Sequence, residues 1–212
     1  MFHKLQQAWR DERGGLGFNM LWVMFVLLFL TPFFWDIGSV HYARRFAGTG
    51  ADAAALAAAQ EYVNRLQFMW GHPRQQQFRG RCELGEFTPQ QVVARYKMER
   101  LNTIAPVSLG YGMAQRYAGS NRADLTAYRS WREYSIHNAA GVPIPVIKVY
   151  TETEREVHTA YGPIYGRDFQ VPNRAQAVAY LDRSNYTPRP CPYKKVTYDF
   201  TFEWKITMDR AR

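Results

Sequence analysis

The sequence predicts an α+β fold. One transmembrane helix near the N-terminus extends into a long second stretch of helix, and a small extracytoplasmic domain with an antiparallel sheet follows. Three observations predict this. Leu16–Trp35 (LGFNMLWVMFVLLFLTPFFW) is 20 residues long and holds no charged side chain. An alanine-rich run, ADAAALAAA at 51–59, follows with no proline from 33 to 72. Two late segments, 145–157 and 196–209, alternate with the period of a strand. The expected organisation is a short cytoplasmic lead (1–15), the transmembrane helix (16–40), its helical extension (41–70) and the α+β domain (71–212).

In the lead, Phe2, Leu5 and Trp9 recur at helical spacing. They predict a small amphipathic helix lying on the membrane face, with a frayed tail as the alternative. Gly14, Gly15 and Gly17 loosen the join to the span.

At about 1.5 Å per residue, the span covers roughly 30 Å, the thickness of a bilayer's hydrocarbon core. A helix is the one single segment that can cross there, because it satisfies its own backbone polar groups. Asn19 is the span's strongly polar residue and sits near its start. Pro32 removes one helical hydrogen bond and predicts a kink. Trp22, Trp35 and Tyr42 are placed for the two interfaces. The run exceeds the roughly 7–15 apolar residues of a secretory signal core, and no small-x-small site follows closely, so retention of the span is expected. Lys4, Arg10 and Arg13 precede it, while Arg44 and Arg45 follow it beyond Asp36. By the positive-inside rule this favours a cytoplasmic N-terminus.

The 212 residues carry a formal charge of +9, of which the first 15 hold a net +1. The remaining +8 suits anionic lipid, an acidic partner or an anionic envelope polymer rather than nucleic acid, which an outward-facing domain rarely meets. Alanine dominates 51–59 and is the best helix former. One long helix is therefore expected to run to about Trp70, with a hinge near Gly48 and Gly50. Its small side chains suit either close helix–helix approach or packing on its own domain.

Residues 71–87 read as a linker. Thr88-Pro89-Gln90-Gln91 has capping-box spacing with proline at the first helical position, predicting a helix to about Arg100. Residues 101–144 are broken by Pro106, Gly110, Gly112, Gly119, Pro143 and Pro145, with a short helix or strand near 123–136. In 145–157 one face holds Lys148, Tyr150, Glu152, Glu154 and Glu156, and the other Val149, Thr151, Thr153 and Val157. The glutamates read as a solvated strand face rather than cation ligands. Asn173 is placed to cap a helix over 174–183. From 196 to 209, Val196, Tyr198, Phe200, Phe202, Trp204, Ile206 and Met208 alternate with polar residues, predicting a long strand with one buried face.

Cys82 and Cys191 are the two cysteines, and both follow the span. In an outward-facing domain they predict one disulfide, with two free thiols as the alternative. Such a bond closes a loop of about 110 residues, for which the chain-entropy model gives roughly 4.7 kcal/mol. The five histidines (3, 41, 72, 137 and 158) are scattered and suggest no metal site. His41 reads as an ordinary interfacial histidine, with ligation of a haem or pigment as the alternative. No nucleophile elbow, zinc-protease helix or phosphate loop occurs, so no catalytic residue and no cofactor is assigned.

The order ERGGLGF, apolar span, DIGSVHYARR and ADAAALAAA, over about residues 12–62, resembles the N-terminal module of TadE/TadG-like Flp pilus-assembly proteins. The resemblance implies a non-enzymatic, pilin-like, single-pass protein of a bacterial inner membrane with a periplasmic domain and a structural or assembly role. Its partners would be membrane lipid and other envelope-complex subunits, reached through the transmembrane and alanine-rich helix, with Asn19, Trp22, Pro32, Trp35 and Asp36 as the residues of interest. Members processed like prepilins carry a Glu five residues into the mature chain. Here no acidic residue lies between Glu12 and Asp36, so such processing is not expected. The Asp-x-Ser-x-Ser metal motif of longer members is also absent. The alternative is an accessory scaffold subunit of an electron-transfer or light-harvesting complex built on the same module.

Overall fold

The computed structural model describes residues 12–70, 85–95, 109–137, 143–160, 162, 169–190 and 196–209. Its first element, α1 (Glu12–Trp70), is one α-helix of 59 residues. It joins the apolar run and the alanine run without interruption, through Pro32 and through the glycines expected to form a hinge. Proline at 32 cannot donate to the carbonyl one turn back. Beside it, the Thr31 hydroxyl donates to the Leu27 carbonyl at 2.7 Å. Gly48 and Gly50 lie where the helix is closely approached by its neighbours. A Cβ at Gly48 would stand 2.8 Å from Asn173 Nδ2, and one at Gly50 would stand 2.7 Å from Ala123 Cβ.

The predicted capping box is present at the next helix, α2, whose described turns cover 89–95. Gln91 N–H donates to Thr88 Oγ1 at 3.3 Å, and Thr88 N–H donates back to Gln91 Oε1 at 2.9 Å. Val92 and Val93 are its buried residues. The expected end near Arg100 lies outside the described residues.

A third helix, α3 (Tyr111–Ser120), runs through the stretch expected to be irregular. It starts at Gly110, whose φ of +86° is left-handed, a conformation that costs glycine little. Its Ala114 and Ala118 are fully buried.

Four strands follow: β1 (Asp124–His137), β2 (Pro143–Val157), β3 (Phe169–Pro190) and β4 (Val196–Asp209). They form one antiparallel sheet in chain order. The β1–β2 register pairs Arg129 with Tyr150 and Trp131 with Lys148, and shifts at Leu125/Ala127 and Glu133/Ile136. The β3–β4 register pairs Ala179 with Ile206 and Tyr186 with Phe200, and shifts between Leu181 and Arg183.

β3 corrects the helix expected over 174–183. The segment's helix-forming residues lose to the sheet because Ala175, Ala177, Ala179 and Leu181 alternate and are all buried. Such a stripe fits a strand's period of two and not a helix's 3.6. β2 follows its predicted alternation, whereas the described residues of β4 alternate between half-buried and exposed and do not form the fully buried face expected of it. Ile147, Val149, Thr151 and Thr153 of β2 are buried, as is Val157 near its end, while Trp204 and Ile206 of β4 pack against the core and Met208 is exposed.

The described residues fall into two compact units: those up to Arg44 with Glu156–Val171, and Arg45–Arg155 with Pro172–Arg212. The hydrophobic core belongs to the second. It is made of Ala51, Ala54, Ala55, Ala58, Ala59, Tyr62, Val63 and Leu66 from α1, against Ile147 and Val149 of β2 and the alanines of β3. The α1 residues recur at steps of three and four, one helical face. Alanine suits this interface because a small side chain lets the helix axis lie close to the strands.

Candidate membrane and assembly surface

Within the first unit, α1 is an apolar cylinder. From Met20 to Leu30 the large apolar side chains are 40–74 % exposed. Trp22 meets Phe25 edge-on at 6.0 Å, and Phe25 meets Phe29 at 4.7 Å, so aromatic rings line one strip of the helix. Among the described residues, α1 is the one helix long and apolar enough to cross a membrane, and none of its most apolar window is buried. Water does not solvate a surface of that size cheaply: burying apolar area is worth about 25 cal/mol per Å².

The site residues of the span fall as follows. Asn19, Trp22 and Trp35 are exposed, and Pro32 is half-buried. Asp36 is the residue with a visible local task. Its Oδ1 accepts a hydrogen bond from the Ala160 N–H at 2.6 Å, fixing the turn after β2 to the helix. Beside that contact lies a cleft of about 370 Å³. Phe33, Asp36, Ile37, Val40 and His41 form its helical wall, with Thr159 and Phe169 opposite.

In the second unit, the buried alanines of α1 pack in one core with the chain's own sheet and with Ala114 and Ala118 of α3. The Thr151 hydroxyl donates to the Ala51 carbonyl at 2.9 Å, and the Thr153 hydroxyl to the Ala47 carbonyl at 2.7 Å. The two threonines are completely buried. Their spacing of two along the strand matches a spacing of four along the helix. Arg155, next in the same row, lies over the Phe46 ring at 4.6 Å. Further along, Tyr62 Oη and Ser130 Oγ share a hydrogen bond at 2.6 Å, and the Tyr128 hydroxyl donates to the Leu109 carbonyl. Burial, with the neighbouring Tyr62, pushes the Tyr128 phenol above its ordinary range.

The sheet's other face is charged and internally paired. Lys148 Nζ lies 2.6 Å from Glu133 Oε2. The Lys148 hydrogen bond holds the Glu133 carboxyl below its usual range. Arg174 Nε donates to Glu152 Oε1 at 3.0 Å, and the Tyr150 hydroxyl to Glu152 Oε2 at 3.3 Å. Tyr150, Glu152 and Arg174 rim an open depression of about 660 Å³ that Arg129 and Trp131 also line. Glu152 thus acts as an acceptor for neighbours, in keeping with a solvated strand face. Among the described residues, no three His, Cys, Asp or Glu are grouped to hold a metal. Cys82 and Cys191 lie outside the described residues.

The cleft's Thr159 and Phe169 and the helix-bonded Thr151 and Thr153 were not singled out as functional by sequence. For the threonines the signal was available: they continue the row that Ile147 and Val149 begin, on the strand face opposite Lys148, Tyr150 and Glu152.

Residues 20–61 match the model of the family described as Flp pilus-assembly TadE/G-like. The match covers the membrane-capable run and most of the alanine stripe. No curated protein and no solved structure matches the chain.

Proposed function

We propose that this chain, whose residues 20–61 form a TadE/G-like module, is a single-span structural or assembly protein of a Flp-type pilus machine and carries out no catalysis. Its N-terminus lies in the cytoplasm and its sheet domain on the far side of an inner membrane. The observation that carries this reading is the match of residues 20–61 to a pilus-assembly family along one unbroken helix. Three basic residues before the span against two after it support the orientation.

In this reading the span meets lipid and other membrane subunits, because its apolar surface is exposed, whereas the alanine stripe is engaged within the chain. Partners therefore reach the second unit through its charged strand face or the polar side of α1. Cys82 and Cys191 pair in the oxidising compartment, and a mass shift on alkylation only after reduction is the expected result.

The test is a mild-detergent pull-down of the native protein, with mass spectrometry of its partners and of its own N-terminus. Recovery of a secretion ATPase, platform proteins or pilins is expected. A stoichiometric complex carrying haem or pigment would replace this reading with that of a scaffold subunit.

A further inference from the structure

The cleft at the end of the span has three properties that together point to a ligand. Its helical wall follows the steps i, i+3, i+4, i+7 and i+8 from Phe33 to His41, a single helix face. Its lining is mostly apolar, and Phe33, Ile37, Val40 and Phe169 remain 37–51 % exposed although they surround one cavity. Thr159 is 8 % exposed, lines the cavity, and its hydroxyl has no hydrogen-bond partner among the described residues. A buried hydroxyl without a partner costs about 1–3 kcal/mol. A ligand that accepts a hydrogen bond there recovers that cost.

We infer that this cleft holds one membrane phospholipid, with an acyl chain along Phe33, Ile37 and Val40 and a glycerol-ester carbonyl accepting from the Thr159 hydroxyl. The choice of lipid follows from continuity. The cleft's apolar wall is the direct continuation of the exposed apolar surface that runs from Met20 to Trp35. A surface of that length faces acyl chains wherever the span is in a bilayer. The size of the cleft falls within the range of about 300–1,000 Å³ typical of small-molecule sites. The Asp36 contact to Ala160 supplies the other requirement, a far wall held against the helix without the ligand. The inference rests on the span crossing a bilayer and is independent of the pilus assignment.

The test is photo-labelling of the full-length protein in phosphatidylethanolamine/phosphatidylglycerol nanodiscs containing a trace of phosphatidylcholine with a diazirine in its acyl chain. Labels are located by peptide mass spectrometry. The expected result is labelling along the whole span with clear enrichment on 33–41 and at Thr159 and Phe169. Ile37→Trp, which fills the cleft, is expected to abolish the enrichment. Thr159→Val should weaken it about fivefold, the change that one lost neutral hydrogen bond produces. Leu27→Trp, on the open part of the span, should leave it intact. Even labelling from 20 to 41, or enrichment that neither cleft variant alters, would mean that lipid only surrounds the helix and would overturn the inference. Cross-links from the cleft to another protein helix would overturn it in favour of a subunit contact. Absence of label from 20–31 would overturn the inference together with the membrane-spanning reading.

Discussion

The Thr151 hydroxyl donates to the carbonyl of Ala51, 100 residues earlier in the chain, at 2.9 Å. A helical carbonyl already accepts from the amide one turn on, so this is a second bond to the same oxygen, available only where no side chain separates strand from helix. Thr153 repeats the arrangement with Ala47. Thr151→Val and Thr153→Val keep the shape and remove the donor, and each is expected to cost about 1 kcal/mol. Ala51→Leu forces the two elements apart and should cost about 1–3 kcal/mol or more. Denaturant unfolding of the detergent-solubilised full chain measures all three. A neutral Ala51→Leu would show that the stripe is not packed as described.

Gly110 and Gly112 make opposite predictions two residues apart. A Cβ at Gly110 would meet Ala58 Cβ, Ala58 O and Tyr128 Oη, each at 3.0 Å, on a backbone with φ of +86°. Gly110→Ala therefore combines backbone strain with overpacking and should lose about 1–3 kcal/mol. At Gly112, inside α3, an added Cβ meets nothing within 4 Å. Gly112→Ala should raise stability by up to about 1 kcal/mol through helix propensity alone. Thermal melts of the pair test the sign directly.

Tyr128 sets the behaviour of the domain at high pH. Its phenol holds its proton more tightly folded than unfolded, since burial and Tyr62 both disfavour the phenolate. Its contribution is therefore complete below about pH 10, the ordinary tyrosine value, and is lost as pH rises from there towards the folded value. Unfolding free energy measured between about pH 8 and 11 should be level and then fall. In Tyr128→Phe the fall should be shallower, from a lower plateau, because the Leu109 carbonyl loses its donor.

The charged strand face should show the opposite slope at low pH and a small effect. Glu133 ionises more readily folded than unfolded because Lys148 donates to it. Its contribution is present above the ordinary carboxylate pKa and disappears as pH falls through the lower folded value. The pair lies at the surface, where water and salt screen it. Glu133→Gln should remove a weak, salt-sensitive acid dependence and leave the neutral-pH midpoint close to wild type. A large loss at neutral pH would mean the pair is shielded from solvent.

Much of this fold was legible because its signals are local. The absence of charge from Leu16 to Trp35 and the alanines of 51–59 specify α1 without reference to anything else. The Thr88/Gln91 box marks the start of α2, and alternation marks β2 and β4. The misses share one cause, which is that tertiary packing outweighed propensity. The segment NRAQAVAYLDR after Pro172 is rich in helix formers, yet its alanines sit at every second position and answer the alanines of α1. In α3, three glycines in and around ten residues read as breaks, whereas Gly110 is the start and Ala114 and Ala118 are the buried face. The cleft was only half visible. Asp36 drew attention as an acid beside a membrane, but its partner Ala160 lies 124 residues away and carries no sequence signal.

The two threonine bonds close loops of 100 and 106 residues. During synthesis, the alanine stripe of α1 therefore leaves the ribosome long before its cover, and domains generally form as their chain becomes available. Contacts of that sequence separation also form slowly, since loop closure must precede them. A stripe of leucines waiting that long would be an aggregation hazard. Methyl groups present little apolar area, and alanine has the highest helix propensity. The preference for alanine on this face therefore leaves little apolar area on that part of α1 uncovered before β2 and β3 are made.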